Sequence, residues 1–243
     1  MIIEVCVNSA ISAIEAQKGG ADRVELCENL HDGGTTPSAG TIRVARENLH
    51  IDLFVMIRPR GGDFLYSDRE FMIMREDLRE AKELGADGVV FGILLPDGSI
   101  DVERMKQLVE LALPMQVTCH RAFDMTANPY QAMEDLIGIG VDRILTSGQQ
   151  PTAMEGAALI NTLISKSAGR IAIMPGSGVK EHNIAGLIGS TGAAEVHIHL
   201  DKQESSLMEF KQQAVYMGLP DQSEFSHIVT DWERIKKVRE MFP

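Results

Sequence analysis

Gly20-Ala21-Asp22-Arg23-Val24-Glu25-Leu26 is the first copy of a short pattern that decides the fold. Related segments, each followed by an apolar run, begin at Gly85, Gly140 and Gly192, so the copies lie about 50 to 65 residues apart. A segment with helical periodicity precedes these glycines, as in 70–84 and 129–139. Each glycine is therefore interpreted as the end of a helix, and the residues after it as the start of a strand.

The intervals between these copies leave room for one further strand each. We predict these strands at Leu53–Ile57, Met115–Cys119 and Arg170–Met174, with Ile2–Val7 opening the series. Eight alternating strand and helix units imply a parallel sheet, and about 200 residues of it predict a closed (β/α)8 TIM barrel. An open doubly wound sheet is the alternative, but it would carry a GxGxxG turn after the first strand, and residues 7–10 (Val-Asn-Ser-Ala) do not.

The pattern becomes irregular and polar from Asp201 onward. We therefore divide the chain into a barrel of residues 1–200 and a C-terminal extension of residues 201–243. Asp231 is expected to cap a short helix that carries the only tryptophan, Trp232. The extension is expected to pack on the barrel or on a neighbouring subunit.

Composition limits the classes of partner. The 243 residues are 44% hydrophobic and 24% charged, which suits a soluble chain with a large core. The net charge of −12 disfavours nucleic acid and anionic membranes as partners. No apolar run approaches the roughly 18 residues of a membrane span, and the first residues lack the basic segment of a signal peptide. Three cysteines without a CxxC pair indicate free thiols, so we expect a cytoplasmic protein.

Alternation within four predicted strands places polar side chains on one face and apolar side chains on the other. Because the apolar face must meet the surrounding helices, the polar face is expected to point to the barrel axis. Two interpretations remain open: a buried ion-pair network of Glu4, Glu25 and Arg58 that fills the centre, or a working pocket, which we favour. The polar face carries Glu4, Cys6 and Asn8; Arg23, Glu25 and Cys27; Gln116, Thr118 and His120; and Glu195, His197 and His199.

The loop after strand three contains Arg58, Pro59 and Arg60, followed by two glycines and Asp63. Two arginines on a shaped loop suit a carboxylate or phosphate ligand, so Arg58, Arg60 and Asp63 are predicted to bind substrate. The alternative is a solvated charged loop.

Strand five continues into His120-Arg121-Ala122-Phe123-Asp124. His120 is a candidate acid or base that Asp124 orients, with Arg121 beside the substrate; a purely structural histidine is the alternative. Strand six ends in Thr146 and Ser147, which we add to the candidate binding residues.

Strand seven ends in Pro175-Gly176-Ser177-Gly178, before a helix predicted to begin near Val179. Backbone amides of Gly176 and Gly178 could form an anion cradle at this helix N-terminus, where many barrels hold phosphate.

Five segments together resemble the CutC family, which is linked by name to copper homeostasis. They are the Glu25–Ser38 stretch with Glu-Leu-Cys and Gly-Gly-Thr-Thr-Pro-Ser, Ile57–Phe64, Asp87–Gly92, His120–Asp124 and Leu145–Gly148. The resemblance covers roughly residues 2 to 200 and implies a cytosolic (β/α)8 barrel that forms homo-oligomers.

Three positions depart from the family pattern: Cys119 replaces an expected Phe, Gln149 a common Gly, and Ser177 a glycine. Cys119 is therefore not expected to be a ligand, and alternation turns it toward the helices. Ser177 weakens the predicted cradle if its position requires a positive φ.

Copper(I) prefers soft thiolate and thioether ligands. Cys6 and Cys27 are the natural pair, because they lie at the ends of adjacent strands and on the inward face. His197 could add a nitrogen ligand. The alternative is that both cysteines are inert packing, as buried cysteines usually are.

Two hypotheses about function follow, and a binding or sensor module without turnover is a third. In the first, the chain handles copper and holds Cu(I) on Cys6 and Cys27. In the second, it is an enzyme that acts by acid/base chemistry on a small anionic, phosphorylated or sugar-like metabolite. The second would use Glu4, Glu25, His120 and Asp124 in catalysis and Arg58, Arg60, Asp63, Arg121, Thr146, Ser147, Gly176, Gly178 and His197 in binding.

Overall fold

Eight parallel strands form a nearly closed barrel in the computed structural model, which describes residues 1–212, 214, 215, 217 and 223–242. Hydrogen-bonded neighbours follow the order β7-β6-β5-β4-β3-β2-β1-β8, and the two end strands, β7 and β8, lie side by side. The predicted TIM barrel is therefore confirmed. The strands are β1 Ile2–Val7, β2 Arg23–Leu26, β3 Asp52–Met56, β4 Gly88–Phe91, β5 Gln116–Cys119, β6 Arg143–Thr146, β7 Ala172–Pro175 and β8 Glu195–Ile198.

A helix follows each of the first seven strands and covers the outside of the barrel. The helices are α1 Ala10–Lys18, α2 Ala39–Asn48, α3 Asp68–Glu83, α4 Val102–Ala112, α5 Pro129–Gly138, α6 Ala157–Ser167 and α7 Ile184–Thr191, with α8 Trp232–Met241 in the C-terminal extension. Gly20, Gly85, Gly140 and Gly192 have φ values of +90°, +85°, +86° and +74° after their helices. The left-handed conformation explains why this position of the repeat is always glycine.

The helix after strand seven begins later than predicted. We expected it near Val179, but α7 begins at Ile184. Ser177 and Gly178 both have positive φ, +81° and +69°, so the backbone is left-handed directly after β7 and cannot continue into a helix there. Asn183 then closes a further turn by accepting a hydrogen bond from the backbone N–H of Lys180.

The outward faces of the strands form the main hydrophobic core with the helices. Cys119 is fully buried in this core, on the side that alternation predicts. On the inward face, the Phe54 ring packs against two guanidinium groups, with Arg23 at 4.8 Å and Arg143 at 5.3 Å from the ring centroid. Phe54 therefore fills the barrel interior below the polar residues at the strand ends.

Gly88 leaves the space that the Phe54 ring occupies. A Cβ at residue 88 would lie 2.5 Å from the Phe54 Cζ. We expect Gly88→Ala to reduce the free energy of unfolding by about 1–3 kcal/mol, because the added methyl overpacks a buried site. Urea unfolding measures this loss. Gly138→Ala is the control, since a Cβ there meets nothing within 4 Å; equal losses in both variants would contradict the packing argument.

The C-terminal extension adds an antiparallel hairpin of β9 Asp201–Ser205 and β10 Ser226–Thr230, followed by α8. Asp231 caps α8 as predicted, because its carboxylate accepts hydrogen bonds from the N–H groups of Glu233 and Arg234. Helix α8 packs against α1, and its Ile235 and Val238 side chains are fully buried. The division at residue 200 stays a prediction. No helix among the described residues is both long and apolar enough to cross a membrane.

Candidate functional site

A cavity of about 760 Å³ opens at the carboxyl ends of the barrel strands. This is the end at which (β/α)8 enzymes carry their sites. Eight of the predicted site residues line the cavity: Cys6, Glu25, Cys27, Arg58, His120, Arg121, Asp124 and His197. Glu4, Arg60, Asp63, Thr146, Ser147, Gly176 and Gly178 do not.

Cys6 and Cys27 form a close pair of free thiols on one wall. The parallel register places Cys6 beside Glu25, and Cys27 follows two residues later on the same face. The two Sγ atoms are 4.0 Å apart, and Cys27 Sγ lies 3.5 Å from Glu25 Oε2. One ligand atom from each of these three residues lies within 4.8 Å of the other two, so the group could hold a metal ion.

The two thiols differ in acidity. The hydrogen bond with the Cys27 thiol, together with His197, lowers the pKa of the Cys6 thiol although burial opposes this. The same thiol–thiol contact and burial raise the pKa of Cys27. The first proton therefore leaves Cys6, which gives a thiolate beside a thiol.

A buried ionic network lies beneath the thiols. Glu4, which is fully buried, contacts His197 Nδ1 at 2.7 Å through Oε1 and accepts a hydrogen bond from Arg23 through Oε2. Arg23 also donates to Glu195 at 2.7 Å, and Arg143 donates to the same carboxylate. The network therefore contains two carboxylates, two guanidinium groups and an imidazole, and every charge has a partner of opposite sign.

The network fixes the charges of Glu4 and His197. Burial alone would raise the pKa of Glu4, but the hydrogen bond with His197 and the charge of Arg23 lower it to about 2. Burial opposes protonation of His197, but the interactions with Cys6, Glu25 and Glu4 raise its pKa well above the ordinary value. Both shifts favour a protonated His197 beside a deprotonated Cys6.

The network differs from the ion-pair alternative that the sequence left open. That alternative paired Arg58 with Glu4 and Glu25, but Arg58 donates to the carbonyl oxygens of Asp32, Gly34 and Gly62. Arg58 follows the end of β3 and holds two loops at the cavity mouth, whereas Glu4 sits at a deeper level, opposite Arg23.

Sequence reasoning placed Arg23 on the inward face without giving it a role, and it missed Arg143. A signal was present, because both arginines occupy the fourth position of a repeat copy, after Gly20 and Gly140. Arg23 is the first residue of β2, and Arg143 is the first residue of β6. Both side chains therefore enter the barrel at a similar level.

Glu25 is buried at the centre of the site, with 2% of its surface exposed. Its Oε2 lies 3.8 Å from His197 Nε2, while its Oε1 has no hydrogen-bond partner in the described part of the chain. Burial and the neighbouring Cys6 thiolate raise the pKa of Glu25 well above its ordinary value. Glu25 is therefore a carboxyl group that readily holds a proton.

The predicted pair of His120 and Asp124 is not formed. Asp124 instead accepts hydrogen bonds from the Thr146 hydroxyl, from Arg121 and from the Ser147 hydroxyl and backbone N–H. The ring of His120 packs 4.9 Å from that of Phe64, and its Nδ1 accepts the N–H of Ala122. Asp124 therefore organises the loops after β5 and β6 and does not orient the imidazole.

Arg60 and Asp63 hold the loop after β3 outside the cavity. The Arg60 guanidinium bonds to Glu70, whose other oxygen completes the capping box of α3, and to Asp63 at 3.0 Å. These contacts occupy the Arg60 nitrogens that were predicted to bind an anion.

Neighbouring side chains fill the space around Gly176 and Gly178. A Cβ at Gly176 would lie 2.5 Å from Leu145 Cδ1, and one at Gly178 would lie 2.9 Å from Thr152 Cγ2. With α7 starting only at Ile184, the turn does not lead straight into a helix N-terminus. The predicted anion cradle therefore loses the helix on which it depended.

Comparison with known proteins identifies one protein family. The model of the CutC family matches residues 1–202. The human copper homeostasis protein cutC homolog is 48% identical over 236 residues, which cover 97% of this chain and 86% of the human protein. The family protein CutC of Parabacteroides distasonis is 51% identical over 237 residues, which cover 97% and 98%.

Solved structures agree with the sequence relatives. The crystal structure of CutC from Streptococcus agalactiae has a TM-score of 0.78 at 37% identity and covers 81% of this chain and 97% of its own. Thiamine phosphate pyrophosphorylase from Pyrococcus furiosus has a TM-score of 0.58 at 14% identity, with 99% and 94% covered. At that identity the second likeness extends to the barrel fold alone.

Proposed function

The chain belongs to the CutC family, and we propose from this premise that it serves copper homeostasis by binding Cu(I) as cargo through Cys6 and Cys27. The observation that carries the proposal is the pair of Sγ atoms 4.0 Å apart at the cavity wall. Two metal–sulfur bonds of about 2.3 Å, the length in zinc thiolates, span up to about 4.6 Å, so both sulfurs can reach one ion. Paired thiolates are also the ligand type that Cu(I) prefers.

The residues around the two thiols favour the loss of the thiol protons, which metal binding requires. Thiolates bind metal only after they lose their protons. The His197 imidazolium stabilises the negative charge of Cys6, and Glu4 holds His197 in place through Nδ1. Glu25 Oε2, 3.5 Å from Cys27 Sγ, is placed to accept the second proton. Metal uptake is therefore coupled to a proton transfer within the site.

The alternative of an acid/base enzyme has less support. Its His120–Asp124 pair is not formed, and its cradle at Gly176 is packed by Leu145 and His197. We also propose that the protein is located in the cytosol and forms a homo-oligomer. The free state of all three cysteines supports a reducing compartment, in which Cu(I) thiolates persist.

Cys6→Ser combined with Cys27→Ser is expected to abolish stoichiometric Cu(I) binding, because a hydroxyl is a poor ligand for a soft ion. Anaerobic titration against a chromogenic Cu(I) chelator measures the competition. Cys119→Ser is the matched control and should compete like the wild type, since Cys119 lies in the outer core. If the double variant withholds Cu(I) from the chelator as well as the wild type does, the proposal is wrong.

A further inference from the structure

A second group of polar side chains in the same cavity lacks partners. His120 is 4% exposed and Glu25 is 2% exposed, yet His120 Nε2 and Glu25 Oε1 have no hydrogen-bond partner among the described residues. A buried polar atom without a partner costs about 1–3 kcal/mol, so native proteins rarely keep one without a reason. Since both residues line the cavity, a bound molecule could supply the missing partners.

His120 is a hydrogen-bond donor in this position. Its Nδ1 accepts the backbone N–H of Ala122, so the proton of the neutral ring resides on Nε2. Burial and the charge of Arg58 lower the pKa of His120 to about 3, which keeps the ring neutral near pH 7. The group that meets Nε2 must therefore be an acceptor.

Arg58 adds a buried positive charge at the same wall. Arg58 is 4% exposed, and its guanidinium donates to three carbonyl oxygens and lies 5.1 Å from the Phe64 ring centroid. No carboxylate of the described residues forms an ion pair with it. A buried cation without a counter-ion is costly, so an anion in the cavity would be stabilised here.

We propose that this cavity binds a small hydroxylated carboxylate, with its carboxylate near Arg58 and the Nε2–H of His120 and a hydroxyl that donates to Glu25 Oε1. Arg121 and His197 also line the cavity, but they already pair with Asp124 and Glu4. The unpaired Arg58 and the neutral His120 therefore suit a single negative charge, and the buried acidic side chain of Glu25 disfavours a phosphate dianion. Apolar side chains of Met56, Phe64 and Leu145 also line the cavity. The site shares Glu25 with the proposed copper site but does not depend on copper.

The size of the cavity supports an organic ligand. Its volume of about 760 Å³ lies within the roughly 300–1,000 Å³ of pockets for small molecules. A single metal ion on Cys6 and Cys27 would leave most of this space unfilled. A six-carbon sugar acid would bring both the carboxylate and the hydroxyls that the unpartnered groups require.

The test uses three six-carbon probes with the metal-free full chain: gluconate, sorbitol and hexanoate. Gluconate carries the carboxylate and the hydroxyls, whereas sorbitol lacks the carboxylate and hexanoate lacks the hydroxyls. We expect calorimetry or ligand-observed NMR to show gluconate binding about tenfold or more tightly than either of the other two, the effect of one charge-assisted hydrogen bond. Equal affinity for the three, or no binding of gluconate, would overturn the proposal.

Two variants locate the binding. His120→Asn keeps an acceptor for the Ala122 N–H and removes the Nε2–H, so it should weaken gluconate binding about tenfold without unfolding the chain. Arg58→Met should weaken it further; if this variant does not fold, His120→Asn decides the question. Arg43→Met, on the exposed face of α2, is the control and should bind gluconate like the wild type. Wild-type affinity in His120→Asn would overturn the assignment.

The two proposals fail independently. Cys6→Ser with Cys27→Ser should retain gluconate binding, and His120→Asn should retain Cu(I) in the chelator competition. Loss of Cu(I) binding in His120→Asn would show that the two groups form one site, which contradicts the proposal of a separate ligand.

Discussion

Arg23→Met is expected to lower the free energy of unfolding by about 3–5 kcal/mol, the cost of removing one partner from a buried ion pair. Arg23 is 2% exposed and bridges Glu4, which is fully buried, to Glu195. Without it, Glu4 keeps only His197 and Glu195 keeps only Arg143, so each carboxylate loses one of its two cationic partners. Urea unfolding at pH 7 measures the loss.

Two further variants show that the loss arises from charge. Arg23→Met combined with Glu4→Gln should recover part of the stability, because the amide removes the unbalanced carboxylate while it can still meet His197. Arg79→Met removes an exposed ion pair with Glu76 and should cost less than about 1 kcal/mol. If the double variant is no more stable than Arg23→Met, lost packing against Phe54 explains the effect and the charge argument fails.

Features that repeat along the chain could be predicted from the sequence. The left-handed glycines after the helices, the alternation of inward and outward residues and the cap at Asp231 depend on local geometry, and the structure confirms all three. The same alternation placed Cys6, Glu25 and Cys27 on one face, and the register of β1 and β2 then brings them together. Local periodicity was sufficient because each of these features spans one strand or one turn.

Features that depend on the height of a residue along the barrel axis could not be predicted. Alternation predicts whether a side chain points into or out of the barrel. It does not predict at which level along the barrel axis the end of a long side chain lies. The alternative that paired Arg58 with Glu4 and Glu25 is wrong for this reason, because Arg23 and Arg143 start their strands and reach that layer. The predicted pairing of His120 with Asp124 is wrong for a related reason. The end of β6 and the loop after it offer Asp124 the Thr146 hydroxyl and the backbone N–H groups of Ser147 and Gln149.

His120 should make stability depend on pH in the acid range. Burial and Arg58 lower its pKa in the folded chain to about 3, whereas a histidine in an unfolded chain titrates near 6.5. Below about pH 6.5 His120 binds a proton in the unfolded chain but stays neutral in the folded chain. The stabilisation is therefore complete above pH 6.5 and is lost as the pH falls toward 3, at up to about 1.4 kcal/mol per pH unit.

The difference between the wild type and His120→Asn isolates this effect, because the other titrating groups are common to both proteins. Between pH 7 and 4.5 the wild type should lose about 2–3 kcal/mol more than the variant in urea unfolding. NMR of the ring protons should also show no titration of His120 above about pH 5 in the folded protein. A difference between the two proteins that stays constant with pH would mean that His120 binds its proton in the native cavity as readily as in the unfolded chain. Below about pH 6.5 the ring would then be charged, and Arg58 would face a second positive charge.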